Sequence, residues 1–319
     1  MHKNSPIVKK LLKCARLFFV RSRLVLFMLK KLLLTFILFP TAAIAQSYVV
    51  YDFTHDRVLE SRSPNMVQPI ASVTKLMTAN VFLENNKNAN CTQSITEDDT
   101  DYIKGTSTKL PRYTPMSCDE LLKAMLVHSD NYAAHALSRS AGMSRMQFIQ
   151  KMNEKARELG MTSTRFSDSS GLSSANVSSV MDLVKLAKYS LGKPQIQALS
   201  NTSATYVRAG RHNVFVKNTN KLVREEMFAA AINKTGYIRE SGYNLVFVNK
   251  KQCHNNTIGV ISLNNASSAY RSSFTKSKLE QYGCPALNDH ELYASADDAL
   301  YEEGYDEAGF DQLIQRVAN

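Results

Sequence analysis

The 319-residue chain carries 39 Lys and Arg against 28 Asp and Glu, a formal net charge of +11. That charge is unevenly placed: residues 1–45 hold nine basic and no acidic residues, residues 46–285 hold 29 basic and 19 acidic, and residues 286–319 hold one basic and nine acidic. Overall basicity therefore gives no support to a nucleic-acid partner, while 44% hydrophobic and 21% charged residues exclude global disorder.

Residues 28–45 read Met-Leu-Lys-Lys-Leu-Leu-Leu-Thr-Phe-Ile-Leu-Phe-Pro-Thr-Ala-Ala-Ile-Ala. Lys30 and Lys31 form a positive region, and Leu32 to Phe39 form an apolar run too short to span a bilayer. Ala43-Ile44-Ala45 has the small residues a signal peptidase reads, so residues 1–45 are expected to be an export signal cleaved before Gln46. Translation from Met28 and an uncleaved anchor are the alternatives left open. Export removes Cys14 and leaves Cys91, Cys118, Cys253 and Cys284 in an oxidising compartment, the periplasm, where three pairings are open. Cys91–Cys118 and Cys253–Cys284 are favoured, since each closes a loop of about 30 residues, worth ~3–4 kcal/mol in the chain-entropy model. Four free buried thiols are the alternative. No spacing suggests a metal site, and no cofactor is expected.

Along the remaining chain, Ser47 to Phe53 and Arg57 to Arg62 are β-rich runs around the turn signal Thr54-His55-Asp56, and read as an antiparallel hairpin. Ser72 to Leu83 has helical periodicity after Pro69. Cys91 to Ile95 and the region around Tyr113 read as strands. Asp119 to Val127, Tyr132 to Ser140 and Ser144 to Leu159 read as helices, the last ended by Gly160 as a cap. A further helix is expected over Ser178 to Leu191. Strands follow at Asn213 to Lys217, Phe228 to Thr235, Tyr243 to Asn249 and Thr257 to Leu263, and a last helix at Ser268 to Tyr282. Strands at both ends and helices between them predict an α+β fold, with one antiparallel sheet built from both chain ends and flanked by helices.

Three short motifs carry chemistry. Ser72-Val73-Thr74-Lys75 opens the first helix, and residues three apart share a helix face, about 5–6 Å between Cβ atoms. A serine hydroxyl becomes a nucleophile when a base takes its proton, and Lys75 is such a base only when neutral. Ser-x-x-Lys alone is weak: Ser273-Phe274-Thr275-Lys276 also matches and reads as solvated helix surface. Ser129-Asp130-Asn131 stands at a helix junction, where it reads equally well as a helix cap. Lys234-Thr235-Gly236 ends a strand-like run; the lysine and hydroxyl suit a carboxylate, and the glycine suits close approach of substrate backbone. By itself it also reads as a strand running into a turn.

The three motifs in this order, in an exported chain, resemble the serine-type penicillin-binding proteins and β-lactamases. Gln68-Pro69-Ile70-Ala71-Ser72-Val73-Thr74-Lys75-Leu76-Met77-Thr78-Ala79 looks like the nucleophile segment of the low-molecular-mass D-alanyl-D-alanine peptidases. Ser170-Gly171-Leu172-Ser173 with Asn176-Val177-Ser178 and Asp182-Leu183 resembles the same family, and Lys217-Asn218-Thr219-Asn220 resembles its endopeptidase branch. The resemblance covers about Ser47 to Tyr282, and residues 46–285 are expected to be the peptidase domain, of β-lactamase/transpeptidase-like fold with a mainly helical subdomain.

The resemblance implies hydrolysis of D-alanyl bonds in peptidoglycan stem peptides through an acyl-enzyme, with β-lactams as covalent inhibitors. Ser72 is implied as nucleophile, Lys75 as general base and Ser129 as proton relay. Asn131 would hold the substrate amide, Lys234 supply positive charge and Thr235 meet the carboxylate side. Gly236 allows close approach, and the backbone N–H groups of Ser72 and Tyr237 form the oxyanion hole. A class A β-lactamase is the alternative within the fold, but the window Arg165-Phe166-Ser167-Asp168-Ser169-Ser170-Gly171 lacks the deacylating Glu, and Glu154 and Glu158 read as a solvated helix face. A non-hydrolytic peptidoglycan-binding or β-lactam-sensing module is the alternative of a different class. Membrane-bound carboxypeptidases of this family end in a further β-domain and an amphipathic anchor. Residues 286–319 read instead as a flexible acidic tail that an anionic lipid surface would repel, so no stable membrane anchor is expected.

Overall fold

The computed structural model describes residues 46–140 and 142–287. The expected export signal (residues 1–45) and the acidic tail from residue 288 onward lie outside the described residues.

Strands β1 (Ser47–Asp52) and β2 (Arg57–Arg62) form the expected hairpin. The Asp52 carboxylate accepts from the backbone N–H groups of Thr54 and His55 at 3.0 and 3.2 Å and so shapes its turn. Strand β3 (Gln68–Pro69) leads into a 3-10 turn at Ala71–Val73 and then helix α1 (Thr74–Asn85). Strand β4 (Thr92–Gln93) pairs with β5 (Met116–Ser117), and helices α2 (Cys118–Val127), α3 (Asn131–Leu137) and α4 (Arg145–Glu158) follow. Strand β6 (Val177–Ser178) pairs with β3 and precedes α5 (Val180–Ser190) and α6 (Pro194–Asn201). Then come the hairpin β7 (Ala204–Ala209) and β8 (His212–Lys217), the short helix α7 (Lys221–Arg224), strands β9 (Ala230–Ile238), β10 (Gly242–Asn249) and β11 (Ile258–Asn265), and helix α8 (Ser268–Gln281).

The main sheet has the order β2-β1-β11-β10-β9, antiparallel throughout, so both ends of the described chain build it and β9 is an edge. Strand alternation sorts its side chains into two cores. Val49, Tyr51, Val246, Val248, Ile261 and Leu263 pack with the helices α1 to α5. Val50, Leu245, Phe247, Ile258 and Val260 pack on the other face with Leu279 of α8. Helix α1 is enclosed: every residue from Thr74 to Phe82 is buried, the pattern of a helix surrounded by other elements rather than lying on a surface.

Three expectations are corrected. Around Tyr113 there is no strand. Tyr113 itself has φ of 56°, unsuited to a ladder, and the pairing moves to Met116–Ser117, leaving only a single bridge between Ile95 and Arg112. Lys234-Thr235-Gly236 does not end its strand: β9 continues to Ile238, because Gly236 keeps its place in the ladder opposite Asn244. Ser72 sits in a 3-10 turn just before α1 rather than in its first turn. Helix α6, with Pro194 at its first position, and strand β7, where only Val207 and Ala209 are buried, were not expected. The two favoured disulfides are present. Cys91–Cys118 ties β4 to the start of α2, and Cys253–Cys284 ties the β10–β11 loop to the segment after α8.

Gly171 joins the fold to the site. Its φ is +87°, and a Cβ placed on it would lie 2.0 Å from the Ala71 carbonyl oxygen. Gly171→Ala is therefore expected to destabilise the fold by about 2–4 kcal/mol, through strain and a backbone clash. Urea denaturation followed by circular dichroism measures it; a midpoint equal to that of the unsubstituted chain would show that the Gly171 loop yields freely.

Candidate active site

The turn before α1 presents Ser72. Ala71 has φ of 49°, a strained left-handed value for a residue with a side chain, and the helix then carries Lys75 one turn further on. The Ser72 Oγ to Lys75 Nζ distance is 2.9 Å. Two other acceptors lie on Lys75 Nζ: Asn131 Oδ1 at 2.6 Å and the Ser170 carbonyl oxygen at 2.6 Å. A neutral amine has two N–H groups and one lone pair. The two carbonyl-type acceptors use the N–H groups, which leaves the lone pair for the Ser72 hydroxyl proton.

Lys75 is fully buried. Burial brings its pKa down to about 7, against the opposing pull of the Asp168, Asp130 and Asp101 carboxylates. Lys234, 1% exposed, is pushed well below the ordinary lysine value by burial and by the charges of Lys75 and Arg271. Its Nζ donates to Ser129 Oγ at 2.9 Å and to the Thr235 carbonyl at 3.1 Å. The three motifs thus meet as two lysine–serine pairs: Ser72 with Lys75, and Ser129 with Lys234.

Each segment is held from behind. Asp130 caps α3, accepting from Ala133 N–H at 2.9 Å and from the Thr108 hydroxyl at 2.6 Å, so the middle residue of its motif is an anchor. Ser129, next to it, has φ of 64°. Asn131 lines the cleft, yet both ends of its amide are engaged, Oδ1 by Lys75 and Nδ2 as donor to Thr106 Oγ1 at 2.9 Å. Gly236 admits the chain's own backbone: a Cβ there would stand 2.7 Å from the Ile70 carbonyl and 3.1 Å from Ser72 N. The backbone in close approach is that of the nucleophile turn against β9, where substrate backbone was expected. Tyr237 follows on the same edge, 54% exposed and stacked on Tyr243 with centroids 4.3 Å apart.

Sequence reasoning missed several groups. The Ser170 carbonyl is a backbone acceptor, and no motif of side chains marks it. Asp168 positions it by accepting from the N–H groups of Ser170, Gly171 and Ser173 at 2.7, 2.5 and 2.8 Å. Thr219 Oγ1 lies 2.6 Å from Thr235 Oγ1, fixed there by buried amide contacts from Asn233 to Asn218 and from Asn220 to Asn233. Arg271 on α8 reaches the cleft through the sheet edge. It donates to the Asn244 carbonyl at 3.3 Å and to Ser268 Oγ at 3.1 Å, while its buried Nε has no partner. Burial lowers its pKa to about 10. The cleft, about 310 Å³, is lined by Ser72, Ser129, Asn131, Thr219, Thr235, Gly236, Tyr237, Tyr243 and Arg271. The second Ser-x-x-Lys lies on α8 away from it, with Lys276 paired to Glu280. Among the described residues no cluster of His, Cys, Asp and Glu suits a metal ion, and no helix is long and apolar enough to cross a membrane.

Residues 38–266 match the family described as D-alanyl-D-alanine carboxypeptidase. The chain is 70% identical over 291 residues to a D-alanyl-D-alanine endopeptidase of Haemophilus influenzae, covering 91% of this chain and 100% of that one. It is 34% identical over 203 residues to a D-alanyl-D-alanine endopeptidase of Escherichia coli, covering 63% of this chain and 65% of that one. Among solved structures it is similar to a Streptomyces DD-transpeptidase, with a TM-score of 0.68 at 26% identity over 76% of this chain and 97% of that one.

The depressed pKa of Lys75 fixes the sign of a pH dependence. Below about pH 7 Lys75 keeps its proton and cannot take that of Ser72; above it the neutral amine dominates. Acylation of Ser72 by a fluorescent penicillin, followed by stopped flow, is expected to rise by about tenfold per pH unit below 7 and then level off. Lys75→Arg, permanently charged, is expected to lower it by about 10²–10⁴-fold. A rate flat between pH 5 and 8 would remove Lys75 from the role of base.

Proposed function

The chain belongs to the D-alanyl-D-alanine carboxypeptidase family, and on that premise we propose which bond it cuts, where, and with which residues. It is an enzyme of the D-alanyl-D-alanine endopeptidase/carboxypeptidase class. Its substrate in this reading is the D-alanyl bond of peptidoglycan stem peptides, above all the D-alanyl-diaminopimelate cross-link. The chain would be exported to the periplasm by residues 1–45, residues 46–285 would be the catalytic domain, and residues 286–319 a tail beyond it.

Ser72 Oγ attacks the D-alanyl carbonyl, and its proton passes to Lys75 Nζ. The developing oxyanion is held by the backbone N–H groups of Ser72 and Tyr237, donors typically worth ~3–4 kcal/mol each. The tetrahedral adduct collapses with loss of the amine, which receives a proton through Ser129, oriented by Lys234. An acyl ester on Ser72 remains, and water hydrolyses it. Asn131 holds Lys75 and borders the substrate amide. Thr235, Thr219 and Arg271 face the carboxylate next to the scissile bond. One observation carries the reading: a serine 2.9 Å from a fully buried lysine amine, with a second lysine–serine pair at 2.9 Å beside it in the same cleft.

The β-lactamase alternative is disfavoured by Asp168, whose carboxylate is taken up by loop N–H groups, and by Glu154 and Glu158, which pair with Lys151 and Lys155 on the surface of α4. With no free carboxylate to activate water, a penicilloyl ester on Ser72 is expected to persist.

Ser72→Ala is expected to abolish labelling by fluorescent penicillin; retained labelling would sink the assignment. Chromatography of purified muropeptides after incubation separates the activities. Loss of cross-linked dimers marks the endopeptidase, and conversion of pentapeptide to tetrapeptide marks the carboxypeptidase. Unchanged muropeptides with intact β-lactam acylation would mark a sensor and overturn the hydrolytic reading.

A further inference from the structure

A charged pair outside the cleft lining, Lys104 with Glu240, joins the loop before Thr106 to the turn after β9 and is not used by the chemistry above. Strand β9 is paired only with β10, and the cleft follows its free edge. A peptide bound there lies extended along β9. Thr235, Thr219 and Arg271 mark its carboxylate end, so its acyl-donor side continues past Tyr237 toward the β9–β10 turn. That turn is held firmly, with Ile238 N–H donating to Ser241 Oγ at 3.2 Å and Ser241 N–H to the Ile238 carbonyl at 3.1 Å. At its tip Glu240 Oε1 accepts from Lys104 Nζ at 2.6 Å.

Lys104 belongs to the opposite wall. The Asp101 carboxylate gathers the N–H groups of Ile103, Lys104 and Thr106 at 2.8, 2.9 and 2.8 Å, together with the Thr106 hydroxyl at 2.6 Å. Thr106 is bonded in turn to Asn131 and, through its carbonyl, to the Tyr132 hydroxyl at 2.9 Å. The pair therefore joins the wall carrying Ser129 and Asn131 to the wall carrying Lys234 and Tyr237. Its side chains are 30% and 44% exposed, and ion pairs this exposed contribute little to stability. What the pair offers is one fixed cation and one fixed anion at the donor end of the cleft.

We propose that Lys104 and Glu240 form a head-group site for a substrate side chain ending in both a carboxylate and an ammonium, the free end of a diamino-diacid in the acyl-donor stem. The substrate carboxylate takes Lys104, the substrate ammonium takes Glu240, and the protein pair opens as the two new pairs form. The reach is sufficient. β9 ends at Ile238 and Glu240 stands in the turn beyond it, so Glu240 is at most about 10 Å of chain past Tyr237; the acyl D-alanine and the residue before it cover about 7 Å. The diamino-diacid side chain spans the rest. A lysine in that position would still find Glu240, but it would bring an ammonium against Lys104. The site rests on the peptidase reading above and names the substrate feature that reading leaves open.

Soluble cross-linked dimers test it, with the donor-stem residue present as free diaminopimelate, as its side-chain carboxamide, as its side-chain N-acetylated form, or as lysine. The intact enzyme is expected to show kcat/KM roughly three- to tenfold higher for the free form. In Lys104→Met the ratio of free form to carboxamide is expected to fall to near one. In Glu240→Gln the ratio of free form to an N-acetylated form is expected to do the same. Variants that lower all substrates by one common factor would overturn the head-group site, as would equal rates in the unsubstituted enzyme. Acylation of that unsubstituted enzyme by benzylpenicillin separates the two readings: intact acylation with a flat substrate preference removes the head-group site alone, whereas no acylation and no cleavage remove the peptidase reading with it.

Discussion

Burying an ammonium is costly, and the site is organised around a lysine that the fold encloses completely. Helix α1 has no solvent face over its first turns, so the Lys75 amine meets only protein. In that setting the charged form is penalised and the neutral form becomes accessible near neutral pH. The neighbours then decide what the neutral amine does. Asn131 comes from the start of α3 and Ser170 from the loop before β6, and both present oxygen atoms to it. The lone pair that remains faces the Ser72 hydroxyl at the helix's own entrance. Lys234 adds a second buried amine, whose charge is disfavoured by its own burial and by the neighbouring Lys75 and Arg271. Without the enclosure, the same four side chains would be an ordinary solvated cluster.

Enclosure requires close contact between backbones, and the chain achieves it with strain and glycine. Ala71 and Ser129 both take positive φ, one on each side of the cleft. Gly171 and Gly236 press on the same turn, Gly171 at the Ala71 carbonyl and Gly236 at the Ile70 carbonyl and Ser72 N. The nucleophile turn is thus clamped between a loop and an edge strand, which fixes Ser72 more tightly than a flexible loop would. The disulfides lie at the ends of elements outside this clamp and restrain the chain without touching the cleft.

Much of this was legible because it is written in local pattern. Alternating apolar residues located β1, β10 and β11, and helical spacing located α1, α2, α4, α5 and α8 to within a few residues. The three motifs named Ser72, Lys75, Ser129 and Lys234, and their spacing gave the Ser72–Lys75 pair; the Ser129–Lys234 pair joins two motifs 105 residues apart and came only with the fold. The remainder depended on contacts distant in sequence. Ser170 contributes a carbonyl, which every residue has. Arg271 lies on the far helix α8 and enters the cleft only because the sheet edge brings it there. Gly236 was expected to admit substrate backbone; that it admits the turn of Ile70 to Ser72 could not be read from one segment. β7 escaped notice because it packs as an exposed hairpin with a mixed face, and Tyr113 misled because an aromatic in a positive-φ turn looks like a strand residue in one dimension.

The cleft of about 310 Å³ brings the motif residues together beside the half-exposed Tyr237. Both D-alanyl-D-alanine and a D-alanyl-diaminopimelate cross-link place a carboxylate on the carbon that bears the leaving amine, so under the proposed function Thr235, Thr219 and Arg271 would meet the same group in either case. In the proposed reading, choice among substrates falls to the rim. The rim consists of the exposed Tyr237, the loop carrying Tyr102, Ile103 and Lys104, and the turn carrying Glu240. These residues are exposed, whereas Lys75 and Lys234 are buried. One buried reaction centre can in this way serve different wall peptides, with selectivity set at the surface around it.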